Sequence, residues 1–260
     1  MSEIIDSGPR RELRLLLTAV QYFTRIPVPT WIGHNAMQLA HAARYFPLVG
    51  VGVGALGAGA LWVGSLMFPL FVAVLVSTAL TICLTGAFHE DGLADAIDGL
   101  GGAFTRERAL AIMKDSRIGT FGALALLFAV LLKVAAVSSL PVHAAMLALI
   151  AGHGLSRACA VAIMQQLPYV RLDESSRAKP VVERVRPIDV TIAILCGCAP
   201  LVFIEPRPAI AVGSVIVTVL ILRRWFARRI GGYTGDTLGA TQQICEVVFY
   251  LAVVATWNTF

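Results

Sequence analysis

Again and again between residues 46 and 257 the chain runs apolar for close to the ~20 residues that a helix needs to cross the hydrocarbon core of a bilayer. The runs cover 46–68, 70–88, 120–140, 141–167, 188–204, 209–222 and 240–257. Inside hydrocarbon a backbone amide has no water to bond, so a spanning segment must satisfy its own amides, which a single run does only as a helix. The expectation is an all-α fold: a polytopic membrane bundle of about seven transmembrane helices, forming one integral membrane domain over 1–260. Charged residues make up only 14% of the chain, against roughly 25% in soluble domains, and mean hydropathy is +0.78. The runs at 188–204 and 209–222 are short for a crossing, so six or eight spans are the neighbouring expectations. Residues 13–23 suit a segment lying along the interface.

Basic residues orient such a bundle, because the side that keeps them is normally the cytoplasm. Threading seven spans places 1–45, 89–119, 168–187 and 223–239 on one side; with Arg157 near a helix end, these hold 19 of the 21 lysines and arginines, leaving Lys133 and Arg207 elsewhere. That side is expected to be cytoplasmic, and the N-terminus, which carries Glu3, Asp6 and Arg10 before a modest apolar run, does not read as a signal peptide. The net charge of +5 follows from this bias alone. No compact basic domain stands apart from the spans, so nucleic acid is not the expected partner; an anionic soluble substrate or anionic lipid headgroups fit better.

Two apparent motifs carry no chemistry. Gly52-Val-Gly-Ala-Leu-Gly57 matches a dinucleotide fingerprint but lies inside an apolar run with no βαβ context. Gly50, Gly54, Gly57 and Gly64 are expected instead to let membrane helices approach closely. The five cysteines are odd in number, and Cys196-Gly-Cys198 lacks a second ligand pair, so they read as small hydrophobes rather than zinc ligands.

Polar chemistry gathers on the side assigned to the cytoplasm. At about 100° per residue, Asp95 lies roughly 40° from Asp91 on a helix, and Asp98 about 20° to the other side, so three carboxylates share one face. Like charges so spaced repel, and a hard cation, Mg²⁺ or Mn²⁺, bridging them to a substrate phosphate would relieve that repulsion. A solvated helix face is the bland alternative; a calcium loop is not, because its alternating ligands and closing Glu are missing. Lys114-Asp-Ser-Arg117 supplies cations and a hydroxyl, Ser116, suited to phosphate oxygens, or else marks a basic membrane boundary. His153 and Arg157 share a face of the fourth run, where ionisable groups are expensive and commonly face a site. In Gly231-Gly-Tyr-Thr-Gly-Asp-Thr-Leu-Gly-Ala240, backbone amides around Gly235 and the hydroxyls of Thr234 and Thr237 are candidates for cradling phosphate, with Asp236 reaching a metal or a nucleophile, unless the segment is a plain turn. Arg25, His41, Arg44 and Arg171 sit at membrane boundaries, His34 and His143 belong to no constellation, and Lys133 and Glu246 are placed to pair within the spans. These parts describe a membrane-embedded, metal-dependent enzyme acting on a phosphorylated substrate.

At these residues the chain closely resembles the cobalamin synthase family, the adenosylcobinamide-GDP ribazoletransferases. The matching segments are Phe23-Thr-Arg-Ile-Pro-Val-Pro29, Arg44-Tyr-Phe-Pro-Leu-Val-Gly50, His89-Glu-Asp-Gly-Leu-Ala-Asp-Ala-Ile-Asp-Gly99, Met113-Lys-Asp-Ser-Arg-Ile-Gly119 and Gly231 to Ala240, in family order over nearly the whole chain. The resemblance implies the joining of adenosylcobinamide-GDP with α-ribazole, or its 5′-phosphate, to give adenosylcobalamin, or its 5′-phosphate, and GMP. It also implies Mg²⁺ dependence and residence in the bacterial or archaeal cytoplasmic membrane, with other corrinoid-pathway proteins or further copies of the chain as partners. On this reading Asp91, Asp95 and Asp98 hold the metal. Lys114, Arg117 and Arg157 neutralise phosphate oxygens, and Asp115, Asp236 or His89 takes the hydroxyl proton. A CDP-alcohol phosphotransferase is the alternative enzyme, disfavoured because Asp95 stands where that family has an arginine after Asp91-Gly-Leu-Ala. An ion-coupled transporter is the alternative of another class, disfavoured because no repeat is visible and the aspartates lie in a connection rather than at midplane.

Overall fold

The computed structural model describes residues 8–33, 36–115, 117–170, 185–204 and 208–257. Among these residues eleven α-helices follow one another: α1 (Pro9–Phe23), α2 (Ala36–Ala42), α3 (Phe46–Ser65), α4 (Leu70–Thr85), α5 (Phe88–Gly102), α6 (Arg106–Met113), α7 (Thr120–Ser138), α8 (Val142–Gln166), α9 (Pro187–Cys198), α10 (Pro208–Arg229) and α11 (Gly235–Trp257). Among the described residues there is no β-strand, only an isolated bridge between Tyr169 and Tyr233. The all-α bundle is as expected; the count of seven crossings is not confirmed. Among the described residues five helical segments are long and apolar enough to span, Gln38–Ser65, Thr120–Ser138, Val142–Gln166, Pro208–Arg229 and Gly235–Trp257, and six if the bent pair Leu70–Thr85 and Phe88–Gly102 counts as one span. The run at 188–204 forms only a short helix followed by a 3₁₀ turn, Ala199–Phe203.

The remaining apolar run explains how the acidic motif is delivered. α4 is apolar throughout but ends at Gly86 and Ala87, both left-handed (φ 66° and 57°), and α5 departs at 86° to it. A left-handed glycine after the last helical residue is the usual way to stop a helix and redirect the chain. Arg25 packs against the Gly86 Cα, leaving no room for a side chain there. α5 therefore runs sideways across one end of the bundle, and we place it outside the spanning segments.

Close helix contact is paid for with glycine where expected. A Cβ at Gly54 would stand 2.7 Å from the Leu149 carbonyl oxygen of α8, and one at Gly50 would collide with that of His153. Gly57 faces Thr81, and Gly64 faces Ala73, both on α4. Lipid tails are as apolar as leucine, so such packing contacts, rather than burial from water, hold spanning helices together.

The amphipathic α1 buries Leu15, Ala19 and Phe23 against α2 and α3. Arg44, a suspected boundary residue, instead ties this layer together: it is buried, 3.0 Å from Glu12 of α1 and 2.5 Å from the fully buried Asp189 of α9. The five cysteines are all free.

Candidate active site

One end of the bundle collects the ends of α4, α8 and α10, the starts of α7 and α11, and the whole of α5. The decisive contact is between α5 and α11. Gly92 and Gly239 let the two backbones touch: a Cβ on Gly92 would lie 3.2 Å from both Asp236 Cα and Gly239 Cα. Asp91 and Asp95, on either side of Gly92, are thereby brought toward Asp236 in the first turn of α11. Partial burial, then the charges of Asp91, Asp236 and Asp98, push the Asp95 carboxyl up to about 6. A group raised in this way is one that a nearby cation would stabilise in its ionised form.

Asp98 does something different from its two neighbours. Its carboxylate accepts from Gly119 N–H at 2.7 Å and from Gly122 N–H at 2.8 Å, capping the start of α7 from the side. It is buried, and glycine is needed at both partners because a Cβ would strike the carboxylate. Helix periodicity placed Asp98 beside Asp91, but tertiary packing commits it to amides left open at a helix N-terminus.

The Lys114 segment divides similarly. Lys114 lines a polar cavity with Asp236, Thr234, Gly235 and Tyr169. Arg117 does not: its guanidinium closes on Asp115 at 2.6, 3.0 and 3.1 Å, on the surface. Those hydrogen bonds hold the Asp115 carboxyl down at about 2, which makes it a poor proton acceptor near neutrality. Ser116 lies outside the described residues, as do His34, Arg171 and Arg207.

At the start of α11, Thr234 and Thr237 satisfy each other. Thr237 N–H donates to Thr234 Oγ1 at 3.2 Å, and Thr234 N–H donates to Thr237 Oγ1 at 2.8 Å. Thr237 is wholly buried, so its hydroxyl serves the helix rather than a ligand; Thr234 also donates to Asp236 at 3.3 Å and keeps a place on the cavity wall.

A second, mostly apolar cavity shares Gly235 with the first and is lined by Phe23, Phe88, His89, Arg157 and Gln242 among others. Arg157 is buried, donates to the His153 carbonyl at 2.9 Å, and sits 5.9 Å above the Phe23 ring. His153 lines neither cavity. It faces Glu246 at 3.6 Å in a network where Lys133 reaches Glu246 at 2.9 Å and Gln243 at 3.1 Å. Gln243 in turn donates to Glu90 of α5 at 2.9 Å. The expected pairing of Lys133 with Glu246 is thus present. What periodicity missed is its extension through Gln242 and Gln243, although polar residues at helical spacing inside an apolar run are a signal available in any sequence. It also missed the aromatic walls.

Among the described residues no group of three or more His, Cys, Asp or Glu side chains is arranged to hold a metal ion by itself. Asp95 feels the charges of Asp91 and Asp236, and Mg²⁺ is an ion usually held by only one or two carboxylates plus substrate phosphate.

A family model described as cobalamin-5-phosphate synthase matches residues 15–254. The chain is similar to the adenosylcobinamide-GDP ribazoletransferase of Leptothrix cholodnii, 45% identical over 94% of this chain and 96% of that one. It is equally similar to the protein of the same name from Shewanella amazonensis, 45% identical over 96% and 98% of the two chains. No solved structure matches it.

Proposed function

The chain belongs to the cobalamin-5-phosphate synthase family, and from that premise we propose that the α5–α11 end of the bundle is the active site of an adenosylcobinamide-GDP ribazoletransferase. The reaction joins adenosylcobinamide-GDP to α-ribazole, or its 5′-phosphate, and releases GMP. A ribose hydroxyl of the ribazole attacks the phosphorus borne by cobinamide, the pyrophosphate bond breaks, and the hydroxyl proton leaves to a base.

The observation that carries this reading is the convergence of Asp91 and Asp95 with Asp236 across the Gly92–Gly239 contact, beside the cavity that Lys114 lines. Mg²⁺ held by Asp91, Asp95 and Asp236 would supply charge neutralisation on the pyrophosphate. Lys114 binds phosphate oxygens as a point charge. Asp236 joins the proposed site opposite Asp91 and Asp95, either as a third carboxylate toward the metal or, with Asp115 held by Arg117, as a proton acceptor alongside His89. The basic ends of α6 and α10 lie at this end, which supports a site facing the cytoplasm from the bacterial inner membrane.

The test is incubation of purified protein in detergent with adenosylcobinamide-GDP, α-ribazole and Mg²⁺, with and without EDTA. GMP and the cobalamin product should form in equal amounts, stop with chelator and resume when Mg²⁺ is restored. Folded protein that forms neither product overturns the reading; turnover indifferent to EDTA overturns its metal.

A further inference from the structure

We infer that the mostly apolar cavity between α1, α3, α5, α8 and α11 seats the flat heteroaromatic base of the ribazole, with Phe23 as its central platform; this rests on the transferase reading above. The walls are rings. Phe23 meets Phe46 edge-on at 4.5 Å and Phe88 at 5.7 Å, and lies parallel to the His89 imidazole at 5.3 Å, within 10°. Tyr22 closes the group, parallel to Phe46 at 6.1 Å and edge-on to Phe88 at 5.2 Å. Rings so arranged offer faces and edges to a planar guest, and base-on-aromatic stacking is worth roughly 1–3 kcal/mol per base.

The polar inventory decides which base. Two lining residues have a buried nitrogen with no hydrogen-bond partner: His89 at Nε2 and Arg157 at Nε. Both residues are more than nine-tenths buried. Of the other polar lining side chains, Gln242 already spends its amide on Ser156, Glu246 and Gln243, and Tyr22 adds one hydroxyl. A buried group left unpaired costs about 1–3 kcal/mol, so a guest that meets it gains that back. Guanine, the other base in the reaction, presents polar groups along most of its edge and would leave several unmet here. A benzimidazole presents apolar faces, an apolar rim and a single free ring nitrogen, which can accept from Arg157 Nε–H or from a protonated His89 Nε2 and asks for no other partner.

Position agrees with composition. Gly235 lines both this cavity and the polar one that holds Asp236 and Lys114. A nucleoside with its base among the rings therefore directs its ribose across Gly235 toward the carboxylates, where its hydroxyl must react.

Two variants test the assignment in the full-length protein in detergent. Phe88→Ala removes a half-exposed wall ring, and Ala160→Phe fills the cavity without deleting any contact. Each should raise KM for α-ribazole by about tenfold or more while KM for adenosylcobinamide-GDP stays within about threefold. Benzimidazole alone should inhibit competitively against α-ribazole in the unaltered protein and at least tenfold more weakly in Ala160→Phe. Unchanged α-ribazole KM in both variants, or a rise confined to adenosylcobinamide-GDP, overturns the assignment. If the unaltered protein has no transferase activity, the transferase reading fails on its own; equilibrium binding of benzimidazole then judges the cavity, and equal affinity in the unaltered protein and Ala160→Phe refutes it.

Discussion

Lys133 Nζ lies 2.9 Å from Glu246 Oε1 in the interior of the bundle, joining α7 to α11 through two side chains almost wholly removed from solvent. Tyr250 and Gln242 also donate to the same carboxylate, and His153 faces it. Glu246 is thus the hub and Lys133 one of its spokes.

Removing one partner of a buried ion pair leaves the other charge uncompensated, at about 3–5 kcal/mol. Glu246→Ala should therefore lower the thermal unfolding midpoint in detergent severely. Lys133→Ala should lower it less, because Glu246 keeps its other donors. Equal and small shifts would show the network to be dispensable.

Asp98→Ala should behave as a lost helix cap rather than a lost metal ligand. Leaving the Gly119 and Gly122 amides open costs about 1–3 kcal/mol. The measurement pairs a thermal melt with a Mg²⁺ titration of activity. The melt should drop while the Mg²⁺ concentration for half-maximal rate stays within about threefold; a large rise in that concentration would return Asp98 to the metal.

Asp91→Asn and Asp95→Asn should each cut turnover by about 10²-fold or more, the scale of losing one electrostatic contact to the transition state. Asp115→Asn should cost less than about tenfold. The sign for Asp115 follows from its depressed pKa: its pairing with Arg117 is complete above the ordinary carboxylate range and is lost only as pH falls toward about 2. Its ionisation should therefore leave no inflection in a pH–rate profile between 5 and 9, and Asp115→Asn should leave the profile's shape unchanged.

Gly92→Val should separate α5 from α11, since even a Cβ there stands 3.2 Å from backbone atoms of the facing helix. Overpacking of this kind costs about 1–3 kcal/mol. The more telling readout is the Mg²⁺ requirement, which should rise because Asp236 is pushed away from Asp91 and Asp95. A variant that melts earlier but keeps its Mg²⁺ dependence would place the metal on α5 alone.

How far the sequence reading went depended on the range of the interaction. Apolar run length is local, so the bundle was legible, as were the glycines at 50, 54, 57 and 64, which are small for a reason any membrane helix shares. Helical spacing is also local, and it grouped Asp91 with Asp95. It grouped Asp98 with them for the same reason and was blind to Gly119 and Gly122, which reach it only through the fold. Asp236 was already a candidate to reach a metal or a nucleophile, but its place opposite Asp95 depends on two glycines 147 positions apart, Gly92 and Gly239. The partners of Arg117 and Thr237, Asp115 and Thr234, were not legible, because a guanidinium or a hydroxyl in a motif looks the same whether it serves a ligand or a neighbour. The number of crossings was least legible where a run was interrupted, at Gly86 and again after Cys198.

The 86° turn at Gly86 also bears on what the protein must accommodate. Because α5 turns across the end of the bundle instead of continuing α4, Asp91 stays exposed and Asp95 half-buried while Asp98 goes under. A diphosphate can therefore reach the first two from outside the bundle, with no need for the corrinoid that carries it to pass between helices.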